Sequence, residues 1–191
     1  MKKIPLLSFL LLLTACSALP LTRSAQQRMK NPLYAQQYYA ELVDHFVNLQ
    51  VQADLALQDA TIAAKVNRAR REALQQSQEA AAIVNGGSTG TFNSIREETR
   101  GTALALEDSL YISPDFMTVP GGTLRVFVTR AVDPRDSVFP DETAVDLGPL
   151  ETPYGDQVYA LPLSFKGIDQ FTVVIEDTMI KRIHGFAQLR P

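Results

Sequence analysis

Chemistry in a protein chain needs nucleophiles, titratable pairs or ligand clusters, and this sequence is sparing with all three. It holds one cysteine, Cys16, and two histidines, His45 and His184. His184 lies seven residues past Asp177, and one imidazole with one carboxylate falls short of a metal site's ligand set. Asp133, Asp136, Asp141 and Glu142 crowd a proline-containing loop and could offer oxygens to calcium. They lack the spacing and central glycine of an EF-hand loop, so the segment reads as a solvated acidic loop. No nucleophile elbow, phosphate-cradling loop, zincin helix or dinucleotide fingerprint occurs. The residues point to a non-catalytic chain with no metal site.

The one thiol has a different chemistry open to it. Met1-Lys2-Lys3 is a basic start, and Ile4 to Leu13 is an apolar run broken only by Pro5 and Ser8. That run is too short to span ~30 Å of hydrocarbon, which takes about 20 helical residues, but it suits the apolar core of a signal peptide. Leu13-Thr14-Ala15-Cys16 follows. It resembles the bacterial lipobox, in which small residues admit a peptidase and the cysteine carries a thioether-linked lipid. The resemblance implies cleavage after residue 15, acylation of Cys16 and a membrane anchor; more than one buried acyl chain makes such attachment lasting. Ser17 stands where an aspartate would imply inner-membrane retention, so an outer-membrane lipoprotein facing the periplasm or the surface is expected.

Removing residues 1–15 leaves 176 residues, enough for one ordinary domain and an extra element. Residues 16–85 hold seven basic and six acidic side chains, whereas 86–191 hold nine basic and fifteen acidic. An acidic second part argues against nucleic acid, whose phosphates select clustered Lys and Arg.

The elements that must position any site divide near Gly86. Residues 16–30 read as an irregular polar tether. Asn31-Pro32 has the chemistry of a helix start, and from Leu33 to Asn85 no Pro or Gly occurs. Asn85-Gly86-Gly87 is a stop. Residues 31–85 are thus expected to form a helical stalk, either one long rod or a hairpin. Tyr39, Leu42, Phe46, Leu49, Ala53, Ala56, Ala60 and Ala63 make a heptad seam that fails at Asn67 and Arg70. The slip predicts a kink, a stutter or a fold-back. An alanine-rich helix buries little, so it should pack on the β domain or on another subunit. Arg68, Arg70 and Arg71 read as a solvated face, and His45, Tyr34, Tyr38 and Tyr39 as packing residues.

Beyond the turn-rich residues 86–90 the period changes. Residues 104–106, 110–112, 124–128, 158–161, 172–175 and 180–186 are short β-prone runs. Pro- and Gly-containing turns separate them, and the spacing indicates an antiparallel sandwich or barrel. The expected class is α+β, with an antiparallel β-sandwich from residue 90 to 191.

Leu147-Gly148-Pro149-Leu150, Gly155-Asp156-Gln157-Val158-Tyr159-Ala160-Leu161-Pro162, Thr172-Val173-Val174-Ile175 and Phe186-Ala187-Gln188-Leu189 are together similar to the signature of the DM-thirteen domain. Leu104 to Asp108 and Leu124 to Val128 fit its opening strands, so the resemblance covers roughly residues 100–190. It implies a small β-sandwich found in envelope and cell-surface proteins, with a proposed electron-transfer role through a cysteine just after the Val-Val-Ile strand. That position falls at or beside Asp177 here, and a carboxylate cannot cycle between thiol and disulfide.

These readings combine into a lipid-anchored envelope protein that binds an envelope partner through its β domain. Loops are the usual contact regions, so residues 133–142 and 151–157 are the candidates, with Asp133, Asp136, Asp141, Glu142, Tyr154 and Asp156 named among them. Two other readings stand beside it: an electron-transfer component that recruits a haem or a redox partner, and a structural lipoprotein that self-associates through its helices.

Overall fold

A computed structural model describes residues 24–136 and 138–191. Cys16, the signal segment and the first part of the tether lie outside the described residues.

Within the expected tether, Ser24 caps a single helical turn, α1 (Ala25–Arg28), through a capping box with Gln27. Residues 24–28 are therefore ordered rather than irregular, because two otherwise orphaned donors are satisfied reciprocally. Asn31 then caps α2 (Pro32–Val51), with Pro32 in the first turn. The long segment does not continue as one helix. Asp54 accepts from the Ala56 amide to start a 3-10 turn, Leu55–Gln58, and Asp59 accepts from Thr61 and Ile62 to start α3 (Ala60–Asn85). Ala53 adopts a positive φ of 52° at the break. The chain folds back there, and α2 and α3 pack against each other. Asn67, where the heptad seam fails, accepts a 2.8 Å bond from Gln50 across this hairpin.

Among the described residues ten strands follow: β1 (Ser88–Ser94), β2 (Thr99–Arg100), β3 (Thr102–Leu106), β4 (Ser109–Ile112), β5 (Met117–Thr118), β6 (Leu124–Thr129), β7 (Val145–Pro149), β8 (Gln157–Ala160), β9 (Phe171–Asp177) and β10 (Arg182–Leu189). Eight form one sheet in the order β7-β6-β9-β10-β1-β3-β4-β8, and β2 pairs with β5 in a separate ribbon. Every pairing is antiparallel. Inward residues from the middle and from both edges, including Val126, Ile175, Ala187, Phe92, Leu110 and Tyr159, meet in one core. The sheet is therefore nearly barrel-shaped, where two separate facing sheets were expected. Residues 150–156 stitch its edges. The Tyr159 hydroxyl donates to Gln157 Oε1 at 2.7 Å and lies 3.3 Å from Pro149 O, and Gln157 Oε1 also accepts from the Glu151 amide at 2.9 Å.

The hairpin sits on the outside of this sheet. Leu33 of α2, Val84 of α3 and Leu104 of β3 form a small cluster flanked by Leu106 and Tyr111. Asn31, 1 % exposed, donates from its amide to Ile112 O at 2.8 Å. Gly87 lets the chain turn from α3 onto the sheet, since a Cβ there would lie 2.5 Å from Ala105 O and 2.6 Å from Leu104 Cδ1. Strand boundaries differ from the sequence reading in several places, among them the run read at 158–161, which is β8 and ends at Ala160. β1 begins inside the stretch read as turns, and residues 178–181 form a turn, with Lys181 at φ 51°, so β10 starts at Arg182 and not at residue 180.

Candidate functional site

The acidic residues singled out in the sequence are mostly engaged within the chain. Asp133 takes amide and guanidinium bonds from Arg135, and these, opposed by burial, hold its carboxyl below the ordinary range. Asp141 accepts from Thr129 and from both the amide and hydroxyl of Thr143. Burial pushes its carboxyl up, and those bonds together bring it below the ordinary value. Asp136 and Glu142 are exposed at the same loop. At the other end of β7, the Asp156 carboxylate pairs with the Arg28 guanidinium at 2.5 Å and is 4 % exposed, while Tyr154 is exposed. The loops 133–142 and 151–157 are thus not brought together, and the second is spent partly on docking the segment around Arg28. Among the described residues, no three His, Cys, Asp or Glu side chains converge in a metal-binding arrangement.

Asp177, in the position where the DM-thirteen resemblance expects a thiol, ties two turns to the end of β9. It accepts from the amides of Gly122 at 2.8 Å, Met179 at 3.0 Å and Thr123 at 3.2 Å. Burial pushes this carboxyl up, but the three amides, aided by His184, take it below the ordinary range. His184 occupies a bulge between Ile183 and Gly185 and lies 3.2 Å from the Thr118 hydroxyl, itself 3.0 Å from that of Thr99. Burial lowers the imidazole pKa, only partly offset by Glu97 and Asp177. Both residues hold structure together from inside.

The unspent chemistry lies one residue away, on the outer face. Alternation along β9 sends Val173, Ile175 and Asp177 inward and Val174 and Glu176 outward. Val174, Phe127 of β6 and Phe186 of β10 form a third apolar cluster, covered by Ile95, Phe139 and Ile183. Glu176 continues that face and floors a groove of about 460 Å³. One wall is Pro134, Arg135 and Phe139, and the other is Ile95 and Arg96. The β9–β10 turn, with Ile180, Lys181 and Arg182, closes one end.

Glu176 is 3 % exposed, and its Oε2 has no hydrogen-bond partner. Arg125 stands directly opposite it in the β6–β9 ladder but is engaged at 2.6 Å by Asp146. Burial, then Asp146 and Asp177, raise the Glu176 carboxyl, with Lys181 opposing. Around it, Arg182 pairs with Glu97 at 3.0 Å, and Arg135 pairs with Asp133 while lying 5.3 Å from the centre of the Phe186 ring. Among the described residues Arg96 and Lys181 have no ion pair. The groove thus offers apolar walls, two uncommitted cations and one buried unpaired carboxyl. Sequence reasoning missed Glu176; the acid pair Glu176-Asp177 ending the β-prone run Phe171–Ile175 was the available signal.

No family model, curated protein or solved structure matches this chain.

Proposed function

We propose that this chain is an exported lipoprotein, held at a membrane through Cys16, whose β domain is a non-catalytic binding module that meets its envelope partner at the Glu176 groove. One observation carries the binding reading: a carboxyl oxygen buried without a partner on the floor of an open, cation-rimmed groove. An unsatisfied buried polar atom costs ~1–3 kcal/mol, and a ligand that supplies its partner removes that cost. The basic start, apolar run and Thr14-Ala15-Cys16 support the anchor. The DM-thirteen resemblance enters this reading only through its motifs in residues 100–190, without its thiol chemistry.

Two measurements test the reading. Mass spectrometry of the protein from its own membranes should find diacylglycerol on Cys16 and nothing N-terminal to it; an intact unlipidated Met1 overturns the anchor. A photocrosslinking residue in place of Ile95 should give a discrete adduct in intact cells, while one in place of exposed Gln170 should not. Equal labelling from both positions counts against the groove.

The helices support a second reading. In α2 and α3 only Pro32, Leu33, Ala35, Ala73, Ala80 and Val84 are buried, while Ile62, Leu74 and Ile83 are 40–49 % exposed. A second hairpin of the same chain would complete a four-helix bundle. Sedimentation of the full chain in mild detergent should then give a dimer, and a monomer at all concentrations removes this reading.

A further inference from the structure

We infer that the groove over Glu176 binds an organic anion, a carboxylate or phosphate joined to an apolar portion, with Arg96 and Lys181 taking the charge and the Glu176 carboxyl bonding one of the anion's oxygens. The inference rests on the binding reading above and adds the ligand's chemistry. The volume, about 460 Å³, suits a small molecule or one chemical group of a larger one. Ile95, Phe139, Ile180 and Ile183 would cover the apolar portion.

The choice of an anion follows from the charges that face the floor. Arg96 comes from the segment after β1, Arg135 from the loop after β6, and Lys181 and Arg182 from the β9–β10 junction. Arg135 and Arg182 are neutralised by Asp133 and Glu97, and on the far side Asp146 and Arg125 neutralise each other. Arg96 and Lys181 remain, so an approaching ligand meets net positive charge. A cationic ligand would have to pass those two side chains to reach one carboxyl. Glu176 also lies beside Asp177 and near Asp146, both of which favour its uncharged form, as burial does. An uncharged carboxyl has an O–H to donate, and an anion oxygen accepts it. The empty hydrogen-bonding position at Oε2 and the excess positive charge thus ask for the same ligand.

The test uses the full chain in mild detergent and isotope-edited NMR titration with three probes. 4-Phenylbutyrate supplies a small carboxylate, dihexanoyl phosphatidylglycerol below its micellar concentration supplies a lipid phosphate, and 4-phenylbutyramide is a neutral control. Saturable shifts at Ile95, Ile183 and Lys181 with either anion, and none with the amide, are expected. Binding of only the phenyl carboxylate would identify a free small molecule, and binding of only the phospholipid a headgroup; either supports the inference. Replacing Arg96 and Lys181 together by Ala should weaken binding at least tenfold, since a hydrogen bond to a charged group is worth ~1.5–3 kcal/mol and 1.4 kcal/mol is a factor of ten. Glu176→Gln keeps a donor and should bind within about threefold of wild type. Wild-type affinity should fall as pH rises through the Glu176 titration, and Glu176→Gln should be flat. Equal shifts with the amide, shifts confined to other surfaces, no saturation by a folded protein, or loss of binding in Glu176→Gln would each overturn the inference. A groove that takes no anion but still gives the Ile95 adduct would leave the binding reading standing and remove only this one.

Discussion

Glu176 and Asp177 are neighbours on one strand, yet their carboxyls should drive stability in opposite directions with pH. Asp177 is held below its ordinary value by three backbone amides that outweigh burial. Its contribution is therefore fully present above the unfolded Asp value, ~3.9, and is lost as pH falls through the depressed folded value. Glu176 is raised, first by burial and then by Asp146 and Asp177. Its contribution is full below the unfolded Glu value, ~4.3, and is lost as pH rises through the raised folded value. Asp177→Asn keeps Oδ1 for Thr123 and Met179 but sets an NH2 against the Gly122 amide, which now donates to Oδ2 at 2.8 Å. One charge-assisted bond is lost and two donors face each other, so the cost at neutral pH should be about 2–3 kcal/mol. Glu176→Gln removes only a titration, so it should match wild type near pH 4 and be the more stable protein at pH 8. Urea unfolding of the full chain in mild detergent from pH 2 to 8 measures both. A loss for Asp177→Asn that stays constant down to pH 2, or a gain for Glu176→Gln as large at pH 4 as at pH 8, would refute the assignment of charge states.

Three further outcomes follow from contacts elsewhere. Gly185→Ala would place a Cβ 2.7 Å from Thr99 Cβ and 2.8 Å from Asn93 O, and should lower stability by about 3 kcal/mol, the upper end for an overpacked site, as read by the urea midpoint. Asn31→Asp keeps the cap on the Leu33 amide but cannot donate to Ile112 O; far-UV circular dichroism should hold while amide exchange speeds up at residues 31–35 and 110–112. Asp156→Asn weakens the pair with Arg28, and limited proteolysis around residues 24–30 should accelerate with little change in global stability, because a partly exposed pair is worth ~1 kcal/mol or less.

What was legible in the sequence follows from how local the determinants are. Asn31-Pro32 and Asn85-Gly86-Gly87 carry their own capping chemistry, so both outer ends of the helical segment appear where read. The break between the helices was harder to see, because it uses aspartates, Asp54 and Asp59, rather than Gly or Pro. The runs at 110–112, 124–128 and 172–175 fall inside strands, in keeping with their β-branched and aromatic content, and Leu104 to Leu106 falls inside β3 without it. β7 was missed because Val145–Pro149 contains glycine and proline and sits at an edge, where a missing amide is tolerated. Closure of the sheet depends on Tyr159 and Gln157 meeting residues 149–152, a tertiary matter that no period encodes. The site was the least legible part. Asp133, Asp141 and Asp156 looked free in sequence and are engaged by Arg135, Thr129 with Thr143, and Arg28. Glu176 looked like the end of a strand, and only the pairing of Arg125 with Asp146 leaves it alone.

The hairpin changes what the helices can do for a tethered protein. Its two ends lie together on the sheet, Leu33 and Val84 both packing on Leu104. A chain that returns to where it started adds no distance between the anchor and the β domain, so the helices do not act as a spacer. Seven residues lie between Cys16 and Ser24, and the eight steps from one to the other, at most ~3.6 Å each, give about 29 Å of reach before the chain meets the docked residues around Arg28. With a lipid on Cys16, the docked segment around Arg28 would be held within about that distance of the bilayer, whatever the length of α2 and α3. A domain on so short a lead samples ligands near the membrane, where its acidic surface would be repelled by anionic lipid except at a cation-rimmed opening. Arg96 and Lys181, left unpaired in an otherwise acidic half of the chain, provide one.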